Sequence, residues 1–193
     1  GACVWAEDVK AGYMSRVMVT KQDTISGKDL GWLFAERKPG PSVVVRMDAL
    51  MDPDSLEQLK NIESVIHELW EREATDVWLT TCSDATGSGY LESAYFMNHQ
   101  LPVRADLWSM TAIRMKRAGF RVWALVPALN LTWEWVKHPE WRLAYAQAGH
   151  DWPFCLSPDV PAAMTAAQDF MNDLAVYAPI DGVVFDTDAR LGE

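Results

Sequence analysis

The sequence predicts an α/β fold of (β/α) barrel type, a partial TIM barrel with about four parallel strands present. Four runs, at residues 42–48, 76–81, 121–126 and 182–188, are nearly continuous in β-branched and large apolar residues, the pattern of parallel strands covered on both faces. Helical stretches separate them, giving the order β-α-β-α-β-α-β, for which right-handed crossovers are the default. Each run then empties into a polar cluster: Asp48, Asp84, Asn130, and Asp186 with Asp188. Ligands of α/β folds bind beyond the carboxyl ends of the strands, so these carboxylates stand where such folds place their chemistry.

Residues 1–41 are the least regular part and read as an arm or interdomain linker, with residues 42–193 as the (β/α) domain. Within the arm, Val17-Met18-Val19-Thr20 has strand character, and Trp32-Leu33-Phe34 is an apolar anchor before the breaker Lys38-Pro39-Gly40-Pro41. The first strand leads to a helix capped by Asp52, with Pro53 in its first turn and Leu56, Leu59, Ile62, Ile66, Leu69 and Trp70 as the apolar stripe. After the second strand comes the glycine-rich loop Gly87-Ser88-Gly89, suited to closing over a ligand. A helix from near Ala105-Asp106 to a C-terminal cap at Gly119 precedes the third strand. A tryptophan-rich, partly helical stretch follows from Leu131 to Trp152. The last helix runs from Asp159, with Ala163, Met164, Ala167, Phe170, Met171, Leu174 and Tyr177 on one face, and stops before Pro179. A full (β/α)₈ barrel takes about 250 residues, and residues 42–188 supply four strands, so the run reads as the first half of a barrel or as an open sandwich. The fourth strand, with no helix after it in this sequence, favours truncation or a partner along that edge.

Composition narrows the function classes. With 193 residues and 49% hydrophobic content the chain can bury a sizeable core. Its 27 acidic against 17 basic residues give a net charge of -10, which argues against nucleic acid and anionic membranes and suits a neutral or cationic ligand. No apolar run approaches the roughly 20 residues of a transmembrane helix. Three cysteines show no C-x-x-C spacing; Cys82 and Cys155 are either a disulfide or two small buried thiols. The four histidines lack H-x-x-x-H spacing, so neither a metal site nor a cofactor is expected, and His150-Asp151 reads as a loop turn. Cys3 after Gly1-Ala2 is compatible with the remnant of a lipoprotein cleavage box.

Several segments resemble one family. Asp29-Leu30-Gly31-Trp32-Leu33-Phe34, Met47-Asp48-Ala49-Leu50-Met51-Asp52-Pro53, Ala94-Tyr95-Phe96-Met97-Asn98, Leu101-Pro102-Val103-Arg104-Ala105-Asp106-Leu107 and Asp181-Gly182-Val183-Val184-Phe185 are similar, in order, to the C-terminal glycoside hydrolase-like domain of PgaB-type poly-β-1,6-N-acetylglucosamine deacetylases. The resemblance implies a longer (β/α) barrel acting on partly deacetylated poly-N-acetylglucosamine, an exopolysaccharide of biofilms, with a periplasmic or secreted location and a lipid anchor in the full-length protein. It implies a preceding deacetylase domain or export machinery as partners; the metal-binding histidine and aspartate motifs of that domain are absent here. Where the family's fourth strand ends in H-D-D this chain has Asp186-Thr187-Asp188, and where its first strand carries D-x-D this chain has Arg46-Met47-Asp48.

Glycoside hydrolysis usually needs two carboxyl groups, about 5 to 5.5 Å apart for retention and about 6.5 to 9.5 Å for inversion. Asp188, Asp186 and Asp48 are the catalytic candidates, one of them a proton donor beside the charge of another. Asp84, Asn98, Arg104, Trp133 and Trp135 are the substrate-binding candidates, the tryptophans as flat platforms for sugar rings. Each has an ordinary reading beside it. Asp48 could cap the next helix, Asp52 and Asp106 read as caps, Arg104 could tie its loop to Asp106, and Trp70, Trp78 and Trp123 fall on core positions. Two functions follow, a glycoside hydrolase or a catalytically silent carbohydrate-binding relative.

Overall fold

A computed structural model describes residues 2–8, 13–19, 40–84, 86, 89–143, 154–177 and 179–186. Trp32-Leu33-Phe34, Gly87-Ser88, His150-Asp151, Thr187 and Asp188 lie outside the described residues. Two strands, β1 (Ala2–Asp8) and β2 (Tyr13–Val19), pair antiparallel, with Val17 opposite Val4, so the strand expected near Val17 belongs to a hairpin.

The central sheet holds β3 (Ser42–Val45), β4 (Asp76–Thr80), β7 (Arg121–Val126) and β8 (Gly182–Phe185), all parallel and in the order β3-β4-β7-β8. A short antiparallel pair, β5 (Cys82–Ser83) with β6 (Ser93–Ala94), sits just beyond the end of β4. Each new parallel strand is laid beside the previous one in a single direction. With right-handed crossovers this carries every connecting helix to one face of the sheet, the arrangement of a (β/α) barrel wall, whereas a doubly wound sheet would reverse direction. The crossovers contain α1 (Ser55–Glu71), α2 (Trp108–Arg117) and α4 (Pro161–Tyr177), with a short α3 (Thr132–Lys137) after β7.

The two faces of the sheet differ. Val45, Val77, Leu79, Val122, Ala124 and Val126 are buried and alternate with Val44, Trp78, Thr80, Trp123 and Leu125, which are half-buried or exposed. Continuous apolar runs predict cover on both faces, but among the described residues only one face is fully covered, and Val44 is 49% exposed. In a closed barrel the other face would be the lumen. Trp78 and Trp123 lie on this second face, half-buried rather than in the core. The packed core joins the first face to Ile62, Ile66 and Leu69 of α1, to Trp108, Ala112 and Met115 of α2, and to Ala163, Ala167, Phe170 and Leu174 of α4.

Several helix boundaries differ from expectation. Asp54, not Asp52, caps α1, its carboxylate accepting from Leu56 N at 2.7 Å. Asp52 instead accepts from Asp54 N at 2.8 Å, forming a turn one step upstream. Pro53 therefore precedes the cap, and Leu56 at the frayed first turn is 60% exposed rather than part of the stripe. Helix α2 starts at Trp108, so Asp106 is not its cap; the Tyr95 carbonyl accepts from both Leu107 N and Trp108 N. Its far end is as expected: Gly119 has φ 85°, with Phe120 N bonding Met115 O and Gly119 N bonding Lys116 O, the paired bonds of a Schellman turn. Helix α1 closes the same way, with Glu73 at φ 55° in the position that favours glycine.

Candidate active site

The site is built at the carboxyl ends of β3 and β4. Strand β3 stops at Val45, sooner than its apolar run suggests, because Met47 to Leu50 turn into a 3₁₀ helix whose Met47 and Leu50 are fully buried. Met47 N donates to Thr80 Oγ1 at 3.0 Å, which pins this turn to the end of β4. Asp48 is thus held just above the strand ends, where it caps no helix by its side chain.

Its carboxylate has two unlike oxygens. Oδ1 accepts from Ser83 Oγ at 3.1 Å and from the Tyr95 hydroxyl in a short hydrogen bond. Oδ2 faces Arg46 Nη2 at 3.5 Å, and the side chain is 24% exposed. Arg46 Nη2 also reaches the Asp84 carbonyl at 3.4 Å, and Arg104 Nη1 donates to Ser83 Oγ at 3.1 Å. The structure therefore brings together Asp48, Asp84 and Arg104 of the residues singled out in the sequence, and adds Arg46, Ser83 and Tyr95.

Tyr95 is completely buried and fixed by its backbone. Its N–H donates to Thr81 O at 3.0 Å, and its carbonyl holds the first N–H groups of α2. Burial pushes the phenol up to about 12, with the Asp48 bond acting the same way and Ser83 and Arg104 against it. The hydroxyl therefore keeps its proton and remains a donor at every pH in which the protein works. Ser83 and Tyr95 are not singled out by sequence because neutral hydroxyls carry no distinctive spacing; Tyr95 lies inside the segment Ala94–Asn98 that resembles the family.

Asp84 shapes the loop that follows. Its Oδ2 accepts from Gly89 N at 2.7 Å and its Oδ1 from Thr86 Oγ1 at 3.4 Å, while Asn130 Nδ2 donates to Gly89 O at 2.8 Å and Thr132 Oγ1 to Leu91 O at 2.6 Å. These bonds tie the loop after β4 to the loop after β7. A groove of about 180 Å³ runs along the outer edge of β3, lined in part by Val44, Leu50, Glu68 and Arg72, with Arg46 shared between it and the Asp48 cluster.

The other candidates are placed differently. Asp186 is exposed at the end of β8, its N–H donating to Val126 O at 3.0 Å. Since β4 and β7 lie between β3 and β8, three strand spacings of about 4.8 Å separate Asp48 from Asp186 before side-chain reach and sheet curvature are counted. Strand β8 ends at Phe185 rather than running to Asp188. Asn98 spends its amide within its own turn, accepting from Gln100 N and Leu101 N at 2.9 and 2.6 Å and donating to Phe96 O at 3.1 Å. The next residues bind α4, through His99 to Asp173 and Gln100 to Ala166 O. Trp133 is only 7% exposed; its ring packs on Phe170 and its Nε1 donates to Gln100 Oε1 at 2.9 Å, so it sits as a core residue instead of an open platform. Trp135 is half-buried, with the Arg142 guanidinium 3.5 Å above its ring centre and Phe154 against its edge.

Chemically, the cluster offers one carboxylate oxygen held by hydroxyl donors and a second beside the Arg46 cation, on a side chain that is partly exposed. Among the described residues no three His, Cys, Asp or Glu side chains group as metal ligands. Cys82 and Cys155 are buried and are not joined to each other by a disulfide, and burial pushes the Cys82 thiol up to about 12.

The model of a family described as "Hypothetical glycosyl hydrolase family 13" matches residues 44–193. Two curated proteins, each named poly-beta-1,6-N-acetyl-D-glucosamine N-deacetylase, from Escherichia coli strain K12 and from Escherichia coli O157:H7, are 26% identical over 163 residues; the match covers 82% of this chain and 24% of each relative. Among solved structures, the PgaB (BpsB) glycoside hydrolase domain from Bordetella bronchiseptica is 30% identical with a TM-score of 0.67, covering 79% of this chain and 45% of that one. The chain thus spans about a quarter of the length of the curated relatives it matches.

Proposed function

The chain belongs to hypothetical glycosyl hydrolase family 13, and from that premise we propose that it acts as a glycoside hydrolase domain on partly deacetylated poly-β-1,6-N-acetylglucosamine. The observation that carries the reading is the Asp48 cluster: a carboxylate held at the mouth of the strands, one oxygen fixed by Ser83 and Tyr95 and the other partly exposed. Two-carboxylate hydrolysis needs a second acidic group, and the candidates for it are Asp186, just beyond the end of β8, and Asp188. Asp84 and Arg104 border the ligand on the Asp48 side. The net charge of -10 favours a polymer whose deacetylated sugars carry ammonium groups. We assign residues 42–193 to this domain and 1–41 to an arm, and we place the protein in the periplasm or outside the cell, beside a deacetylase domain or export machinery.

One observation favours a second reading, a catalytically silent carbohydrate-binding relative. Arg46 places a cation 3.5 Å from Asp48 Oδ2, and Thr187 stands where the resembled family has the first aspartate of its H-D-D ending. Incubation with the partly deacetylated polymer, followed by mass spectrometry of released oligosaccharides, separates the two. The hydrolase releases fragments, and Asp188→Asn abolishes their release while leaving the melting temperature in place. Intact polymer that co-sediments with the protein supports the binding relative, and undiminished release by Asp188→Asn removes that residue from the mechanism.

A further inference from the structure

The geometry points to Tyr95 as a positioning residue: with Ser83 and Arg104 behind it, it fixes Asp48 Oδ1 as a hydrogen-bond acceptor and leaves Oδ2 as the oxygen that meets ligand. The catalytic meaning of this lock rests on the hydrolase reading; the lock itself does not.

The direction of each proton follows from the donor inventory. Arg104 Nη1 can only donate, so at 3.1 Å it occupies a lone pair of Ser83 Oγ. The single Ser83 proton is then directed to an acceptor, and of its neighbours Asp48 Oδ1, at 3.1 Å, is the carboxylate, which forms the stronger charge-assisted bond. The Tyr95 hydroxyl, which also neighbours Ser83, gives its own proton to the same Oδ1. Two donors converge on one oxygen, so a proton has no place there. The charged and titratable groups around Asp48 are Arg46 on its own segment, Tyr95 and Arg104 from the segment before α2, and Asp84 from the loop after β5.

The aromatic ring is well placed to hold this geometry. Tyr95 is anchored to Thr81 just past the end of β4 and to the start of α2, so its backbone is fixed on both sides of a buried ring. A carboxylate oriented in this way costs little reorganisation when ligand arrives. Asp48 then acts as acceptor or charge partner, and the proton donor of the reaction is a carboxyl group at the end of β8.

Two measurements on the whole chain test this. A buried hydroxyl that donates to a carboxylate gives a slowly exchanging, downfield proton resonance. That resonance should be present in the wild type, absent in Tyr95→Phe and displaced upfield in Asp48→Asn. If no such signal exists, or if Asp48→Asn leaves it unmoved, the lock is overturned. This readout needs no turnover, so a wild type that shows the resonance but cleaves nothing refutes the hydrolase reading and keeps the lock. Where polymer is cleaved, Tyr95→Phe should lower kcat/KM about tenfold to a hundredfold, the range for losing one hydrogen bond to a charged group. Ser83→Ala should show a smaller loss of the same kind. An unchanged kcat/KM in a folded Tyr95→Phe, checked by its melting curve, would show that the phenol serves packing alone.

Discussion

Asp48 and Asp76 stand at opposite ends of the same sheet, each served by several donors, yet they end in different states. Asp76 begins β4 at the amino-terminal face and is 6% exposed. Its Oδ2 accepts from Arg121 at 2.6 Å and Thr75 Oγ1 at 2.8 Å, its Oδ1 from Trp123 Nε1 at 2.8 Å. Nearby, Asp181 is spent in the same way, on Val122 N at 2.8 Å and Lys116 Nζ at 2.7 Å. Both oxygens of Asp76 accept hydrogen bonds inside the protein, whereas Asp48 accepts them at one oxygen and meets only the exposed Arg46 at the other. Satisfied carboxylates at the base of a barrel wall hold strands in register, and a half-satisfied one at the mouth is available for chemistry.

The largest expected effect breaks the Asp76 side of this comparison. Asp76→Ala leaves the Trp123 N–H and the Arg121 guanidinium without their acceptor and should cost about 3 kcal/mol of stability, read by urea denaturation. Asp48→Asn, with one oxygen already toward solvent, should cost under about 1 kcal/mol while removing polymer turnover. Equal losses of stability would erase the distinction between the two ends.

Gly182→Ala tests the same network from the neighbouring strand. A Cβ there would lie 2.3 Å from Trp123 Cζ3 and 2.6 Å from Cε3, so the indole must move and with it the bond to Asp76. A loss of about 1 to 3 kcal/mol is expected, and it should be smaller in an Asp76→Ala background, since the two sites share Trp123.

The pH dependence sharpens the contrast further. Burial alone would raise the Asp76 pKa, but bonds from Arg121, Thr75 and Trp123 outweigh it and hold the carboxyl below its ordinary 3.8. A group depressed in the folded state stabilises above its unfolded value and loses that contribution as pH falls through its folded value. The gap in stability between wild type and Asp76→Asn should therefore be full at pH 6 and shrink below about pH 4. A gap that stays constant down to pH 2 would mean that the charge of Asp76 contributes nothing.

The smallest effect is a gain. Glu73 at φ 55° sits in a turn that glycine adopts without strain, two residues before Thr75 and three before Asp76. Glu73→Gly should raise stability by up to about 1 kcal/mol, visible as a higher urea midpoint with an unchanged slope.

Much of this was legible from residue order. Runs such as Val122-Trp123-Ala124-Leu125-Val126 can be little else than a strand, and Ile62, Ile66 and Leu69 recur at the helical period, so the β/α alternation and the position of Asp48 near a strand end follow from local chemistry. The segments around Asp48, Tyr95 and Arg104 also pointed, by resemblance, to the family that the match over residues 44–193 establishes. The choice of Asp54 over Asp52 as cap, by contrast, depends on a turn two residues long that pattern cannot resolve.

What only the tertiary structure decided is which polar groups meet. Asp48, Ser83 and Tyr95 are separated by 35 and 47 positions, and they converge because β3, β4 and the segment before α2 end at one place. Trp133, attractive as a platform by composition, is drawn into the core by Phe170 and Gln100. Periodicity is a short-range property, and the sequence carries it openly. Hydrogen-bond partnership across a sheet depends on strand order and register, which exist only once the chain has folded.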